Sequence, residues 1–365
     1  MIHGERVKQV RELLGLTQEQ FGEQIGATQA IVAHIEAGRV RADEFAQRLV
    51  FKTGFPPAFF ERPPGPGFPL GSLMFRAHGA SLDSKTLGKL HREAELANEL
   101  LQAMMPRVTP IPVRVPRLHE TTPAEAARVT RAAIGLAPDG PVPNLTHELE
   151  KAGVVILPVH VESDHFDGFS LWAGDHEPRV PVMVINAERP PDRWRWNVCH
   201  ELGHLVLHHA LRGGLAEIER QADQFAAEFL MPADSVRSEL PTPLTLPVLA
   251  DLKRRWRVSM QAIIRRARDL GAITEAQYYY WLRRLASKGW RKSEPAELVM
   301  SEKPRLLRKI AEVLYQVPVD AERLAADYRL PTRFVKRLLD AYAEQPSREK
   351  NSKLVSGRLT LVREV

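Results

Sequence analysis

Two histidines and a glutamate near the middle of the chain have the types and spacing of a hydrolytic metal site. The segment His200-Glu-Leu-Gly-His204 puts the imidazoles four residues apart. On a helix they therefore lie on one face, about one turn apart, and reach a single metal ion. Glu201 projects near the same face, where a carboxylate takes a proton from a water molecule at the metal. The alternative interpretation is a chance occurrence of this pattern on an amphipathic helix.

A third metal ligand is needed, because a catalytic zinc ion usually has three protein ligands. His208 continues the spacing, but at about 1.5 Å rise per residue it lies roughly 12 Å along the axis from His200. A straight helix does not bring both to one ion. The intervening Leu205-Val-Leu207 has no glycine at which the chain could turn. We therefore expect the third ligand on another element.

A second amphipathic helix is predicted over residues 215–231, after a glycine pair. Its apolar stripe consists of Ile218, Ala222, Phe225, Ala226, Phe229 and Leu230. Glu219 and Asp223 lie one turn apart beside this stripe, where acids are costly to bury without a cation or partner. We assign Glu219 as the third ligand and Asp223 as the acceptor that orients one ligand histidine through its second ring nitrogen. Asp223 and Glu228 are the alternative ligands, and a solvated helix edge is the alternative without metal.

The residues after the first motif form a second motif, Glu219-Arg-Gln-Ala-Asp-Gln-Phe-Ala-Ala-Glu-Phe-Leu-Met-Pro232. Together the two resemble the ImmA/IrrE family of bacterial metallopeptidases, whose second motif runs E-x-x-A-x-x-F-A-x-x-L-L-M-P. Phe229 stands where the family usually has leucine. The resemblance implies a gluzincin-like zinc peptidase that cuts a repressor protein. It also implies that His200, His204 and Glu219 bind one Zn²⁺ ion, with Mn²⁺ as an alternative in the cell, and that Glu201 is the base.

Composition and charge limit the class of protein. A chain of 365 residues is long enough for two or three domains. No apolar run is long enough to cross a bilayer, and the N-terminus lacks a secretory signal. The single cysteine, Cys199, excludes intramolecular disulfides. We therefore expect a cytoplasmic protein without a membrane partner, and the net charge of +6 favours a polyanionic partner.

The first part of the chain has the signals of a helix-turn-helix. A helix is predicted over residues 5–14, and Thr17-Gln-Glu-Gln20 is a capping box that begins a second helix. Gly26 provides a tight turn, and Thr28 caps a third helix. In such a unit the helix after the turn enters the major groove by its N-terminal residues.

The segment Leu16-Thr-Gln-Glu-Gln-Phe-Gly-Glu-Gln-Ile-Gly-Ala-Thr-Gln-Ala-Ile-Val-Ala-His-Ile-Glu-Ala-Gly38 resembles the lambda-repressor-like (XRE) family. This resemblance implies double-stranded DNA as a partner, with Gln18, Thr28, Gln29 and His34 as the contacting residues. The third helix has no Arg or Lys before Arg39, so DNA binding is expected to be weak or to need a homodimer. The alternative is a three-helix interaction module without DNA affinity.

The fold class is predicted to be mainly α with a small β-sheet (α+β). Three strands are expected at residues 153–158, 167–173 and 180–186. They make a sheet beside the HExxH helix, with an exposed edge that can bind an extended peptide. The chain is expected to contain, in order, a helix-turn-helix domain (1–62), a Pro/Gly-rich linker with a connecting helix (63–119), a peptidase domain (120–240), a basic helical extension (241–295) and a helical C-terminal region with a charged tail (296–365).

These features predict a DNA-binding regulator with a zinc endopeptidase domain that cleaves a repressor-like or partner protein. One alternative is a transcription factor that keeps the metal fold as a sensor and does not hydrolyse peptides. Another is an antitoxin-like regulator that neutralises a toxin encoded beside it. The basic residues around Trp256 are a candidate nucleic-acid surface, but we favour a packing extension whose arginines are solvated.

Overall fold

The structure is a computed structural model that describes residues 1–65, 68, 82–162, 166–174, 177, 179–208, 214–290, 294–295 and 302–343. The predicted charged tail, residues 345–365, lies outside the described residues, as does part of the predicted linker. The described residues confirm a mainly helical protein with one small sheet. No helix among them is both long and apolar enough to span a membrane.

The N-terminal helices form the predicted helix-turn-helix. Thr17 and Thr28 accept backbone hydrogen bonds at the starts of the second and third helices, and Gly26 takes a left-handed conformation with φ of 70° between them. Val7, Phe21 and Val32 are fully buried where these helices pack. The elements are α1 (Gly4–Leu13), α2 (Gln18–Ile25), α3 (Gln29–Glu36), a 3-10 turn (Asp43–Phe45), α4 (Ala46–Thr53) and α5 (Pro57–Phe60).

A long connecting helix, α6 (Ser84–Met104), is fixed to α1 by partly buried ion pairs. Arg92 lies 2.7 Å from Glu12 and 3.0 Å from Glu5, and Arg6 lies 2.7 Å from Glu99. Because the guanidinium of Arg92 is 3% exposed, these charges have little access to water. Removing one partner of such a pair leaves a buried charge, so the contact fixes how α1 sits on α6.

The sheet has three strands, β1 (Val155–Val159), β2 (Gly168–Ala173) and β3 (Val180–Asn186). Their order is β1-β3-β2, with β1 parallel and β2 antiparallel to β3. Side chains alternate between the two faces along each strand, and both faces are buried against other elements. Val155, Leu157 and Val184 belong to a core shared with the N-terminal helices and α6. The residues between them, such as Ile156 and Met183, belong to a second core.

The second core lies among the helices on the other face of the sheet. Their bounds are α7 (Pro123–Ala133), α8 (Leu145–Lys151), α9 (Pro191–Leu207), α10 (Leu215–Leu230), α11 (Ala233–Glu239), α12 (Leu246–Trp256), α13 (Met260–Asp269) and α14 (Glu275–Ser287).

The C-terminal region adds α15 (Leu306–Tyr315), α16 (Ala321–Asp327) and α17 (Thr332–Asp340). Glu302, just before α15, forms a buried ion pair with Arg195 of α9 and accepts a hydrogen bond from the backbone N–H of Leu145. Glu150 of α8 accepts from the backbone N–H groups that begin α15. These contacts attach the C-terminal region to α8 and to α9, the helix that carries HExxH.

Candidate metal centre

The HExxH residues lie on α9, which packs closely against α10. Gly203 makes this approach possible, because a Cβ at that position would lie 3.2 Å from Cα of Ala222 and 3.2 Å from Cβ of Phe225. On the same helix Val198 and Leu202 are fully buried. The close packing of α9 on α10 is what brings the acidic edge of α10 to the two histidines.

His200, His204 and Glu219 converge at one point. Nε2 of His200 lies 3.0 Å from Nε2 of His204 and 3.2 Å from Oε2 of Glu219. Nε2 of His204 lies 3.6 Å from Oε1 of Glu219. Tetrahedral zinc, with bonds of about 2.0–2.2 Å, needs ligand atoms roughly 3.3 Å apart. Within the described ranges these residues form the one His/Cys/Asp/Glu group with metal-ligand spacing, and their donor set fits zinc.

His200 is oriented by a carboxylate on its other ring nitrogen. Nδ1 lies 3.0 Å from Oδ1 of Asp223, whose Oδ2 accepts a hydrogen bond of 2.9 Å from Arg265. Burial lowers the pKa of His200, but its hydrogen bonds to Asp223 and Glu219 outweigh burial and raise the pKa to about 10. The carboxylates that raise this pKa favour any cation beside them, so the charge balance also suits a metal ion.

His204 is oriented by a chain of three polar side chains. Its Nδ1 lies 2.9 Å from Nδ1 of His208, whose Nε2 lies 2.9 Å from Oε1 of Gln221. The amide nitrogen of Gln221 donates to Glu217 over 2.8 Å. His208 does not join the ligand group, in line with its distance along the helix. His208 directly follows the last residue of α9, and its ring contacts that of His204, as the four-residue spacing predicts.

Glu201 is buried beside the ligand histidines, with 2% of its surface exposed. The hydroxyl of Ser170 lies 2.7 Å from its Oε2 and 3.0 Å from its backbone oxygen. Ser170 belongs to β2, and Trp172 on the same strand donates a 3.0 Å hydrogen bond to the backbone oxygen of Leu205. Strand β2 is thus held along α9, and it fixes the carboxylate of Glu201. Sequence reasoning missed Ser170, since no motif joins a strand serine to HExxH.

The alternative ligand Glu228 lies elsewhere. Its carboxylate pairs with Arg266 and it is outside the ligand group. Other basic residues of the extension are also paired within the protein, including Lys253, which lies 2.7 Å from Asp192 and 2.9 Å from Glu294. These ion pairs favour the packing interpretation of the basic extension over a nucleic-acid surface.

The predicted DNA-contact residues take different positions. Gln18 donates a 2.9 Å hydrogen bond to Glu36, and the hydroxyl of Thr28 caps α3. Gln29 and His34 are exposed on α3. Thr28 and Gln18 therefore also hold the unit together, whereas Gln29 and His34 have side chains directed to the surface.

Comparison with known families assigns both parts of the chain. The fold and site are those of a helix-turn-helix module joined to a metallopeptidase-like domain. Residues 7–45 match a helix-turn-helix family, and residues 149–268 match the IrrE N-terminal-like domain. These matches support a fusion of an XRE-type helix-turn-helix domain with an ImmA/IrrE-like peptidase domain, as the motifs predicted. No curated protein matches the chain.

Proposed function

We propose that this chain is a DNA-binding regulator whose peptidase-like domain is a zinc-dependent endopeptidase acting on a repressor-like or partner protein. The observation that carries the proposal is the convergence of His200, His204 and Glu219 within 4.8 Å, with the buried carboxylate of Glu201 on the same helix. Three protein ligands are usual for a catalytic zinc ion, and a carboxylate beside them can act as general base.

Zinc bound by His200, His204 and Glu219 would supply Lewis-acid polarisation of the scissile carbonyl and a lowered pKa for water. The protein's own part is proton transfer and orientation. Glu201 takes a proton from the attacking water and returns it to the leaving amine. The hydroxyl of Ser170, 2.7 Å from Oε2, holds that carboxylate in one orientation. Asp223 and His208 hold the two imidazoles with Nε2 directed to the ligand group.

An extended segment of the substrate is expected to bind along β2. This strand pairs with β3 on one side and lies at the end of the sheet order among the described residues. Its residue Ser170 contacts the base. A substrate that adds to this edge by main-chain hydrogen bonds brings a peptide bond to Glu201. A protein loop that can extend is therefore the expected substrate, rather than a small amide.

Duplex DNA is the partner proposed for the helix-turn-helix domain, with Gln29 and His34 on the exposed face of α3. Glutamine can read adenine through two hydrogen bonds in the major groove. A DNA partner agrees with the cytoplasmic location expected from the sequence. That location and a homodimer stay predictions.

The test is to measure bound zinc and cleavage together in the wild type and in Glu201→Gln, using repressors encoded in the same genome as substrates. Glu275→Gln, at the first turn of α14, is the matched control. We expect cleavage to be lost in Glu201→Gln while one zinc ion per chain remains, and the control to behave as wild type. Zinc without cleavage of any candidate would favour the sensor alternative, and absence of zinc would refute the ligand assignment.

A further inference from the structure

The last three helices repeat the local structure of the first three. Adding 303 to positions 17, 26 and 28 gives 320, 329 and 331, which have the same structural roles. Asp320 caps α16 as Thr17 caps α2, each accepting from the backbone N–H three residues later, at 3.0 and 3.1 Å. Arg329 takes the left-handed conformation of Gly26, with φ of 58° against 70°.

Hydrogen bonds across the two turns also correspond. The N–H of Ala27 donates to the oxygen of Gly22 over 2.9 Å, and the N–H of Leu330 donates to the oxygen of Ala325 over 2.9 Å. The buried side chains correspond as well. Phe21, Val32 and Ile35 in the first unit match Leu324, Val335 and Leu338 in the second. Helices α15–α17 therefore have the geometry of a helix-turn-helix.

The two units differ in charge on the helix that would face DNA. Between Gln18 and Glu36 the chain has three glutamates and neither Arg nor Lys. Between Ala321 and Asp340 it has five basic and three acidic residues. At the surface positions of α3 occupied by Ala30, Ala33 and His34, helix α17 has Arg333, Lys336 and Arg337. Phosphate contacts by Lys and Arg dominate the affinity of proteins for DNA, and these are on the second unit.

Basic side chains of α17 have access to a ligand. The side chains of Lys336 and Arg337 are 59% and 56% exposed. Among the described residues, Lys336 lies 4.0 Å from Glu322 and Arg337 lies 3.1 Å from Glu93. Exposed pairs of this kind contribute little to stability, so a phosphate can replace the carboxylate.

The two units are also neighbours in the fold. Arg333 donates to the backbone oxygen of Thr53 at the end of α4. Gly54 and Phe55 line one small cavity together with Arg329 and Leu330 of the second turn. The two units therefore lie side by side in the fold.

We propose that α15–α17 form a second helix-turn-helix unit, which binds the phosphates of duplex DNA beside the first unit and supplies the positive charge that α2 and α3 lack. This inference rests on the proposed DNA-binding function. It assigns the affinity to Lys336 and Arg337 of α17, and sequence reading to Gln29 of α3.

The experiment measures binding of the full-length chain to a fluorescently labelled duplex of mixed sequence, by anisotropy at several salt concentrations. The variants are Lys336→Ala and Lys336→Ala with Arg337→Ala. The control is Arg283→Ala, an exposed arginine on α14. We expect the double variant to bind roughly ten-fold more weakly and its salt slope to fall by about two, with a fall of about one in the single variant. The control is expected to match wild type.

If both variants bind the duplex with wild-type affinity and wild-type salt slope, the proposal that α15–α17 bind DNA is wrong. The proposed DNA binding by the first unit would still stand. Failure of the wild-type chain to bind duplex at low salt would overturn the proposed DNA-binding function together with this inference. Thermal unfolding shows whether loss of the Arg337–Glu93 pair destabilises the double variant. If it does, the single variant Lys336→Ala, which keeps that pair, is the one that tests the proposal. If Gln29→Ala changes the preference of the chain among duplex sequences but leaves the salt slope unchanged, the division of roles between α3 and α17 is further supported.

Discussion

Nδ1 of His204 lies 2.9 Å from Nδ1 of His208, and this contact decides which nitrogen of His204 is available to a metal. Glu217 only accepts hydrogen bonds when ionised, so it turns the amide nitrogen of Gln221 toward itself. The amide oxygen then faces Nε2 of His208, which must donate. Burial lowers the pKa of His208 and favours its neutral form. Nδ1 of His208 therefore accepts from Nδ1–H of His204, which leaves the Nε2 lone pair of His204 toward His200 and Glu219.

Replacing His208 by Ala is expected to weaken zinc binding by about 10- to 100-fold, the usual effect of removing a residue that orients a ligand. The reason is that Nδ1 of His204 loses its acceptor and the ring can rotate or change tautomer. A chelator competition assay measures the affinity. His160→Ala is the control, since this histidine is exposed and pairs with Glu188. Equal zinc affinity in both variants would show that His208 has no such role.

Asp223→Asn is expected to weaken zinc binding in the same range, about 10- to 100-fold. An amide has one acceptor oxygen, whereas Asp223 now accepts from both His200 and Arg265. Asp251→Asn removes a comparable Arg–Asp pair on the surface of α12 and serves as control. If the two variants bind zinc equally well, the orienting role assigned to Asp223 is wrong.

Ser170→Ala is expected to slow cleavage while zinc stays bound. The substitution removes the hydroxyl that contacts Oε2 of Glu201, and leaving a buried acceptor without its donor costs about 1–3 kcal/mol. If that cost appears in the transition state, kcat/KM falls roughly 5- to 150-fold. Ser238→Ala is the control, because Ser238 is an exposed serine on α11. Loss of zinc together with activity would instead indicate a structural role for Ser170.

Glu150 gives a pH dependence of folding. Burial raises its pKa from 4.5 to about 7, against the opposite effect of hydrogen bonds from the backbone N–H groups of Leu306 and Arg305. In this window the folded chain keeps a proton that the unfolded chain has lost. The contribution of Glu150 to stability therefore falls as pH rises from about 4.5 to about 7, by about 3 kcal/mol.

Glu150→Gln keeps an acceptor for these N–H groups but does not titrate. We expect its urea midpoint to rise relative to wild type between about pH 5 and about pH 8. Glu148→Gln, two residues away on the same helix and paired with Lys151, should follow the wild-type profile. Parallel pH profiles for wild type and Glu150→Gln would contradict the raised pKa.

The sequence predicted the local parts of the molecule well. Helix caps such as Thr17 and Thr28 are short-range signals, so the helix-turn-helix could be located before the fold was known. The strand over residues 180–186 was predicted at its observed bounds. The three residues assigned as ligands lie together, because a motif on each of two consecutive helices fixes their positions. Whether they bind zinc stays a prediction.

Long-range contacts could not be predicted. The ion pair of Arg195 with Glu302 joins residues 107 positions apart, and no local pattern relates them. The second helix-turn-helix was hidden because its turn has Arg329 where glycine is usual.

The three-stranded sheet has a consequence for how such a protein can evolve. Val155, Leu157 and Val184 pack on the DNA-binding side, and Ile156 and Met183 pack on the peptidase side. If the DNA-binding side were replaced by an unrelated domain, branched aliphatic side chains would face water and favour aggregation. Under the proposed function, a lineage can therefore change sequence preference by substitutions on α3, but it cannot exchange the whole module unless the new domain has a matching apolar surface.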